Sequence, residues 1–185
     1  MKRGAIVVGV AGLATFLLAG FASKPEDPAA SIARYRSWTK ANPEPANMSF
    51  AVVVMCQMPT AKQQMSAHSD SPHKDYYLTV YVNEVAKSGF LSKKNPKLPV
   101  GSVIVKEKLL SKDAKDPELL TAMIKREVGY DPEHGDWEYL VLNGSGARVF
   151  GRGKISSCQS CHDGQRSEGY FYRNYLPHSI AKDLK

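Results

Sequence analysis

Apolar and polar positions divide this chain into one long uncharged run, residues 4–22, followed by short blocks of alternating or clustered apolar residues. Residues 28–40 begin at Pro28 behind Asp27 and set Ile32, Tyr35 and Trp38 three apart. That spacing predicts a short amphipathic helix capped by Asp27 and ended by Asn42-Pro43-Glu44-Pro45. Residues 50–55 (FAVVVM) form a continuous β-branched run suited to a buried strand. Residues 59–75 are polar and turn-rich and read as a surface loop. Residues 76–82 (YYLTVYV) predict a strand, after which Asn83 caps a helical or turn segment through Gly89. Residues 101–109 alternate as a further strand. Asp116-Pro117-Glu118 predicts the start of a second helix, with Leu119, Leu120, Met123 and Ile124 as its buried stripe and Gly129 at its end. Residues 137–142 (WEYLVL) predict a strand, Asn143-Gly144 a hairpin turn into residues 147–150, and residues 169–175 an aromatic strand. No internal repeat is present. The sum is an α+β, β-rich domain: an antiparallel sheet with short flanking helices.

The opening run changes how the domain is bounded. Lys2 and Arg3 precede it, and Gly20-Phe21-Ala22 places small residues where a signal peptidase needs them. Residues 1–22 are therefore expected to be a signal peptide. At 19 residues the run also approaches the length that spans a bilayer, so a retained N-terminal anchor is the alternative. Either way residues 23–185 are expected to be a single exported, periplasmic domain. Loss of Lys2 and Arg3 would reduce the formal charge from +7 to +5.

The chemistry lies near the C-terminus, in Cys158-Gln159-Ser160-Cys161-His162, a C-x-x-C-H pentapeptide. Two thiols three apart can add to the two vinyl groups of one haem while the adjacent histidine turns onto the iron. This predicts one covalently attached haem c, with Cys158 and Cys161 as thioether anchors and His162 as the proximal iron ligand. A zinc site using Cys158, Cys161 and His68 or His73 would need a second ligand pair that the sequence lacks. A redox-active or simple disulfide would not need His162. Only 23 residues follow His162, none of them methionine, and His178 after Pro177 reads as a surface residue. An upstream methionine (Met48, Met55, Met58, Met65 or Met123) could reach back to make a six-coordinate electron-transfer cytochrome. A C-terminal haem site with no following methionine points instead to a five-coordinate iron, which suits binding or oxidation of a small ligand.

Several phrases together resemble the cytochrome P-460 family and its relative cytochrome c′-β. They are Val80-Tyr81-Val82-Asn83, Gly101-Ser102-Val103-Ile104-Val105-Lys106-Glu107, Gly135-Asp136-Trp137 and the C-terminal C-x-x-C-H followed by an aromatic stretch. The likeness covers roughly residues 38–177. It implies a β-rich homodimer with a five-coordinate haem c that oxidises hydroxylamine, binds nitric oxide and passes electrons to a soluble partner cytochrome. It also implies that Lys106, in a V-x-V-K-E-type strand motif, is the lysine bonded to a haem meso carbon in cytochrome P-460. The c′-β relatives lack that bond and bind nitric oxide without catalysis. Catalytic members carry a carboxylate just before the haem motif, where this chain has Ser157. Glu107, Asp136 and Glu138 are possible substitutes, although Glu107 alternates with Lys106 and should point away from it. The family's aromatic distal pocket suggests Phe50, Tyr77, Tyr81 and Phe90.

The remaining features read more plainly. Cys56 inside an apolar strand suits a buried thiol, and Trp38 and Trp137 suit the core. Lys93, Lys94, Lys106, Lys108, Lys112 and Lys115 read as solvated charge; a basic rim for a redox partner is the sharper alternative. They are not interleaved with stacking aromatics, so no nucleic-acid partner is expected.

Overall fold

A computed structural model describes residues 27–48, 76–92 and 96–181. The predicted strand at 50–55, the loop at 59–75, Cys56, His68, His73 and the side chain of His178 lie outside the described residues. Among the described residues, seven antiparallel strands form one sheet: β1 (Thr39–Lys40), β2 (Ala46–Met48), β3 (Tyr76–Val82), β4 (Val103–Leu109), β5 (Leu119–Lys125), β6 (Trp137–Asn143) and β7 (Val149–Gly153). The order is β1-β3-β4-β5-β6-β7, with β2 also paired to β3. Three α-helices accompany it among these residues: α1 (Glu84–Ser92), α2 (Ser156–His162) and α3 (His178–Ala181). The chain is thus α+β and β-rich. No helix among the described residues is long and apolar enough to cross a membrane.

Both faces of the sheet are covered. On one, Leu78, Val80, Val82, Ile104, Met123, Trp137 and Tyr139 pack against Ala86 and Phe90 of α1 and against Phe171 and Leu176. On the other, Val103, Val105, Leu120, Ala122, Ile124, Leu140 and Leu142 meet Ile32 and Tyr35. Those two come from a 3-10 helix at Pro28–Ser37, whose first turn is capped by the Asp27 carboxylate accepting from the Ala29 amide at 3.1 Å. Three residues per turn is the 3-10 period, which is why residues spaced by three share its buried face. Trp38 falls beyond its end and is only half-buried.

Pattern and structure part first where a strand is buried on both faces. Residues 116–129 are not a helix: Leu119–Lys125 is the strand β5, paired to β4 on one side and β6 on the other. A strand covered on both faces is apolar at nearly every position, so its period of two is erased. Asp116-Pro117-Glu118 ends a β4–β5 connection, and the Glu118 amide donates to the Lys108 carbonyl at 2.8 Å. Lys108 is not solvated; it is buried, ion-paired to Glu118 at 2.9 Å and seated over the Tyr76 ring. Residues 169–175 form no strand, because Gly169 and Tyr170 are both left-handed (φ 77° and 70°). The Asn143-Gly144 turn is also longer than a two-residue hairpin, β7 starting at Val149. Asn143 closes it by accepting from the Arg148 amide at 2.9 Å.

Asn83 matches its reading as a cap. Its side-chain oxygen accepts from the Ala86 amide at 3.0 Å, while its amide donates to the Gly101 carbonyl at 2.8 Å. This ties α1 to the start of β4.

Candidate functional site

Cys158, Cys161 and His162 lie on α2, which opens as the Cys158 and Gln159 amides bond the Ile155 carbonyl at 2.9 and 3.0 Å. Positions three and four apart share a helix face, so the two thiols and the imidazole are presented together. All three line one cleft, whose opposite wall is the sheet: Val80 of β3, Ile104 and Lys106 of β4, Thr121 and Met123 of β5, and Tyr139 of β6. Both cysteines are thiols rather than half-cystines. Gln159 points the other way, is buried, and donates to the Asp131 carboxylate at 2.6 Å.

The imidazole is held on three sides. Its Nδ1 lies 2.6 Å from the Tyr170 carbonyl oxygen. A carbonyl only accepts, so Nδ1 carries the proton and the Nε2 lone pair is left available. The rings of Tyr139 and Tyr172 flank it at 5.4 and 5.5 Å between centroids. Tyr172 is itself fixed by donating to the Cys161 carbonyl at 2.9 Å. Burial pushes the His162 pKa down to about 4, opposed by the bond to Tyr170 and assisted by the charge of Lys106. A neutral imidazole with a committed Nδ1–H and an open Nε2 is the form in which histidine ligates a metal.

Strand alternation places Lys106 on the cleft face with Ile104, as residue counting predicts, and turns Val103, Val105 and Glu107 to the other core. Glu107 accepts there from the Tyr35 hydroxyl at 2.6 Å and from Arg36 at 3.1 Å. Glu138 is likewise turned away, bound by Arg152 at 2.6 Å and Arg126 at 3.2 Å. Asp136 closes its own loop by accepting from the Asp131 amide at 2.8 Å. None of the three substitutes for a cleft carboxylate lines the cleft, whereas Ser157 does.

The aromatic wall differs from the expected one. Phe50 lies outside the described residues, Tyr81 packs edge-on to Tyr35 in the second core, and Phe90 stacks behind Phe171. Tyr77 does not line the cleft; Tyr139, Phe171, Tyr172 and Tyr175 do. Tyr139 was legible as an apolar-face residue of β6. The last three come from the segment misread as a strand. Met123 is the one candidate axial methionine whose described side chain reaches the cleft wall.

One atom in the wall has no partner. Tyr139 is 2% exposed, and its buried hydroxyl bonds nothing among the described residues. Burial, followed by the neighbouring Cys158, pushes its pKa above the ordinary phenol range, so it remains a neutral donor. Compared with known protein families and with curated proteins, the chain matches no family model and no curated sequence.

Proposed function

We propose that this chain is an exported mono-haem c protein of the cytochrome P-460 type, acting on hydroxylamine or nitric oxide. Cys158 and Cys161 would hold the haem through thioethers and His162 would ligate its iron. Lys106 is the candidate for a further bond to the macrocycle. The observation that carries this reading is the 2.6 Å contact of His162 Nδ1 with the Tyr170 carbonyl. It leaves Nε2 as a ligand nitrogen in the same cleft as both thiols of a C-x-x-C-H motif.

The residues fit the group. The fit rests on the chemistry of the cleft's lining, since the enclosed space is about 60 Å³. Its wall is largely apolar, and the orphaned Tyr139 hydroxyl is a buried donor that a bound group would satisfy. Haem, when bound, supplies a redox-active iron able to take a small nitrogenous ligand. The chain's own part is to exclude water with Phe171, Tyr172 and Tyr175, to fix His162 in one tautomer, and to set a lysine beside it.

A second reading, a non-catalytic nitric oxide binder of the c′-β type, is favoured by one observation. Among the described residues the cleft is lined by Ser157 and Lys106 but by no carboxylate, and Glu107, Asp136 and Glu138 are engaged elsewhere. Proton removal from a bound substrate needs a base within reach. A homodimer and a soluble partner cytochrome remain part of the proposal.

Intact mass of the purified protein tests both readings: the mature chain plus one haem is expected, and no added mass overturns them together. Turnover of hydroxylamine by the haem-loaded protein then supports the catalytic reading, and tight nitric oxide binding without turnover supports the second.

A further inference from the structure

We propose that Tyr170 is a positioning residue for His162, its ring seated on Gly135 so that a strained backbone delivers the carbonyl that fixes the imidazole. The consequence for iron rests on His162 being the axial ligand; the positional claim does not.

Three observations converge. First, the strain sits at the acceptor itself. Tyr170 is left-handed at φ 70°, a strained conformation for a residue with a side chain, which persists only where the surroundings enforce it. Its amide donates to the Gln165 carbonyl at 2.8 Å, so the chain reverses here and aims the Tyr170 carbonyl back at His162.

Second, the ring has a built seat. A Cβ on Gly135 would strike the Tyr170 ring, and Gly135 is itself left-handed at φ 68°. The Tyr170 hydroxyl donates to the Glu133 carbonyl at 3.3 Å, and Arg166 lies over the ring while donating to the same carbonyl at 2.9 Å. A glycine at position 170 would adopt the same backbone without strain. What the tyrosine adds is the lock.

Third, the loop that seats Tyr170 also grips α2 and the turn that follows it. Asp131 accepts from Gln159 at 2.6 Å, and His134 meets Asp163 at 2.9 Å. Asp136 stiffens the loop by accepting from the Asp131 and Gly129 amides at 2.8 and 3.2 Å. His162 therefore lies between two segments fixed to one platform, one carrying its backbone and the other its hydrogen-bond acceptor. Holding Nδ1–H on a carbonyl raises the basicity of Nε2 and sets the ring's orientation.

The test compares Tyr170→Gly, Tyr170→Phe and Gly135→Ala with the wild type as haem-loaded proteins. The measurements are the iron–histidine stretch by resonance Raman and the reduction potential. Tyr170→Gly and Gly135→Ala should move the stretch to lower frequency and the potential upward, while Tyr170→Phe, which keeps the ring in its seat, should match the wild type. A loss of stability alone, with stretch and potential unchanged in Tyr170→Gly, overturns the proposal; that variant decides should Gly135→Ala fail to fold. If intact mass shows no haem, the haem reading fails separately. The positional claim is then read from the His162 ring nitrogens by NMR: an Nδ1-protonated tautomer in the wild type that becomes mixed in Tyr170→Gly supports it, and an unaltered tautomer overturns it.

Discussion

Lys106 and His162 line the same cleft, and the lysine's charge adds to burial in keeping the imidazole neutral. This relationship gives Lys106 a place beside the proposed haem rather than in solvent. If it is bonded to the macrocycle, the ferrous protein should show a Soret band displaced strongly to the red, and peptide mapping should find Lys106 joined to haem. Lys106→Ala should then restore ordinary c-type bands. An ordinary wild-type spectrum, unchanged in the variant, rules out the bond and leaves the nitric oxide-binding reading.

The Tyr139 hydroxyl gives a prediction whose sign depends on what fills the cleft. A buried donor with no partner costs about 1–3 kcal/mol. In a haem-free Cys158→Ser, Cys161→Ser background, Tyr139→Phe should therefore stabilise the fold by about 1 kcal/mol. In the haem-loaded protein that gain should vanish or reverse, because a bound group supplies the missing acceptor. Thermal unfolding of the four proteins checks it; equal gains with and without haem would show that the hydroxyl does not face the cofactor.

Glu107 and Glu138 separate structural from chemical roles. Both carboxylates are buried, yet Arg36 beside Glu107 is 51% exposed, and Arg152 and Arg126 beside Glu138 are 40% and 24% exposed. Neutralising the acid leaves each arginine able to rehydrate, so Glu107→Gln and Glu138→Gln should cost about 1–3 kcal/mol, below the roughly 3–5 kcal/mol of a fully buried broken pair. Denaturant midpoints should fall while the haem spectrum and ligand affinity stay at wild type. Loss of hydroxylamine turnover in either variant, with stability retained, would return that carboxylate to the list of proton acceptors.

Local chemistry was legible in the sequence wherever one short segment determines it. The capping roles of Asp27 and Asn83, the strand at Tyr76–Val82, the face of Lys106 and the grouping of Cys158, Cys161 and His162 all follow from spacing within a few residues. Legibility failed where the environment was non-local. Leu119–Lys125 has a helix-like stripe and a proline-led start, but pairing with β4 and β6 decides it. The aromatic segment after the C-x-x-C-H pentapeptide looks extended, yet the seat on Gly135 and the bond to His162 fold it back. The carbonyl that fixes His162 is backbone, which no residue-type pattern marks.

Asp27 carries a pH dependence whose direction is fixed by its partners. Hydrogen bonding to Arg152 at 2.7 Å is the largest of the influences that hold its carboxyl below the ordinary 3.8, with the Ala29 amide and Arg126 adding to it against burial. A carboxylate whose pKa is lower in the folded chain contributes stability above its unfolded pKa and loses it as pH falls. The side chain is 45% exposed, so solvent screening limits the charge contribution to about 0.5–1 kcal/mol. Asp27→Asn keeps a side-chain oxygen for the Ala29 amide and removes only the charge, so it should cost about that much at pH 7. Asp27→Ala should cost about a further 1 kcal/mol by losing the cap as well. Urea unfolding across pH should show the Asp27→Asn deficit constant above about pH 5 and shrinking between about pH 5 and 2, as the wild-type carboxyl protonates. Adding about 1 M salt at pH 7 should shrink it too. A deficit that grew on acidification would mean that folding raises the Asp27 pKa, and no deficit at any pH would mean that Glu138 alone holds Arg126 and Arg152.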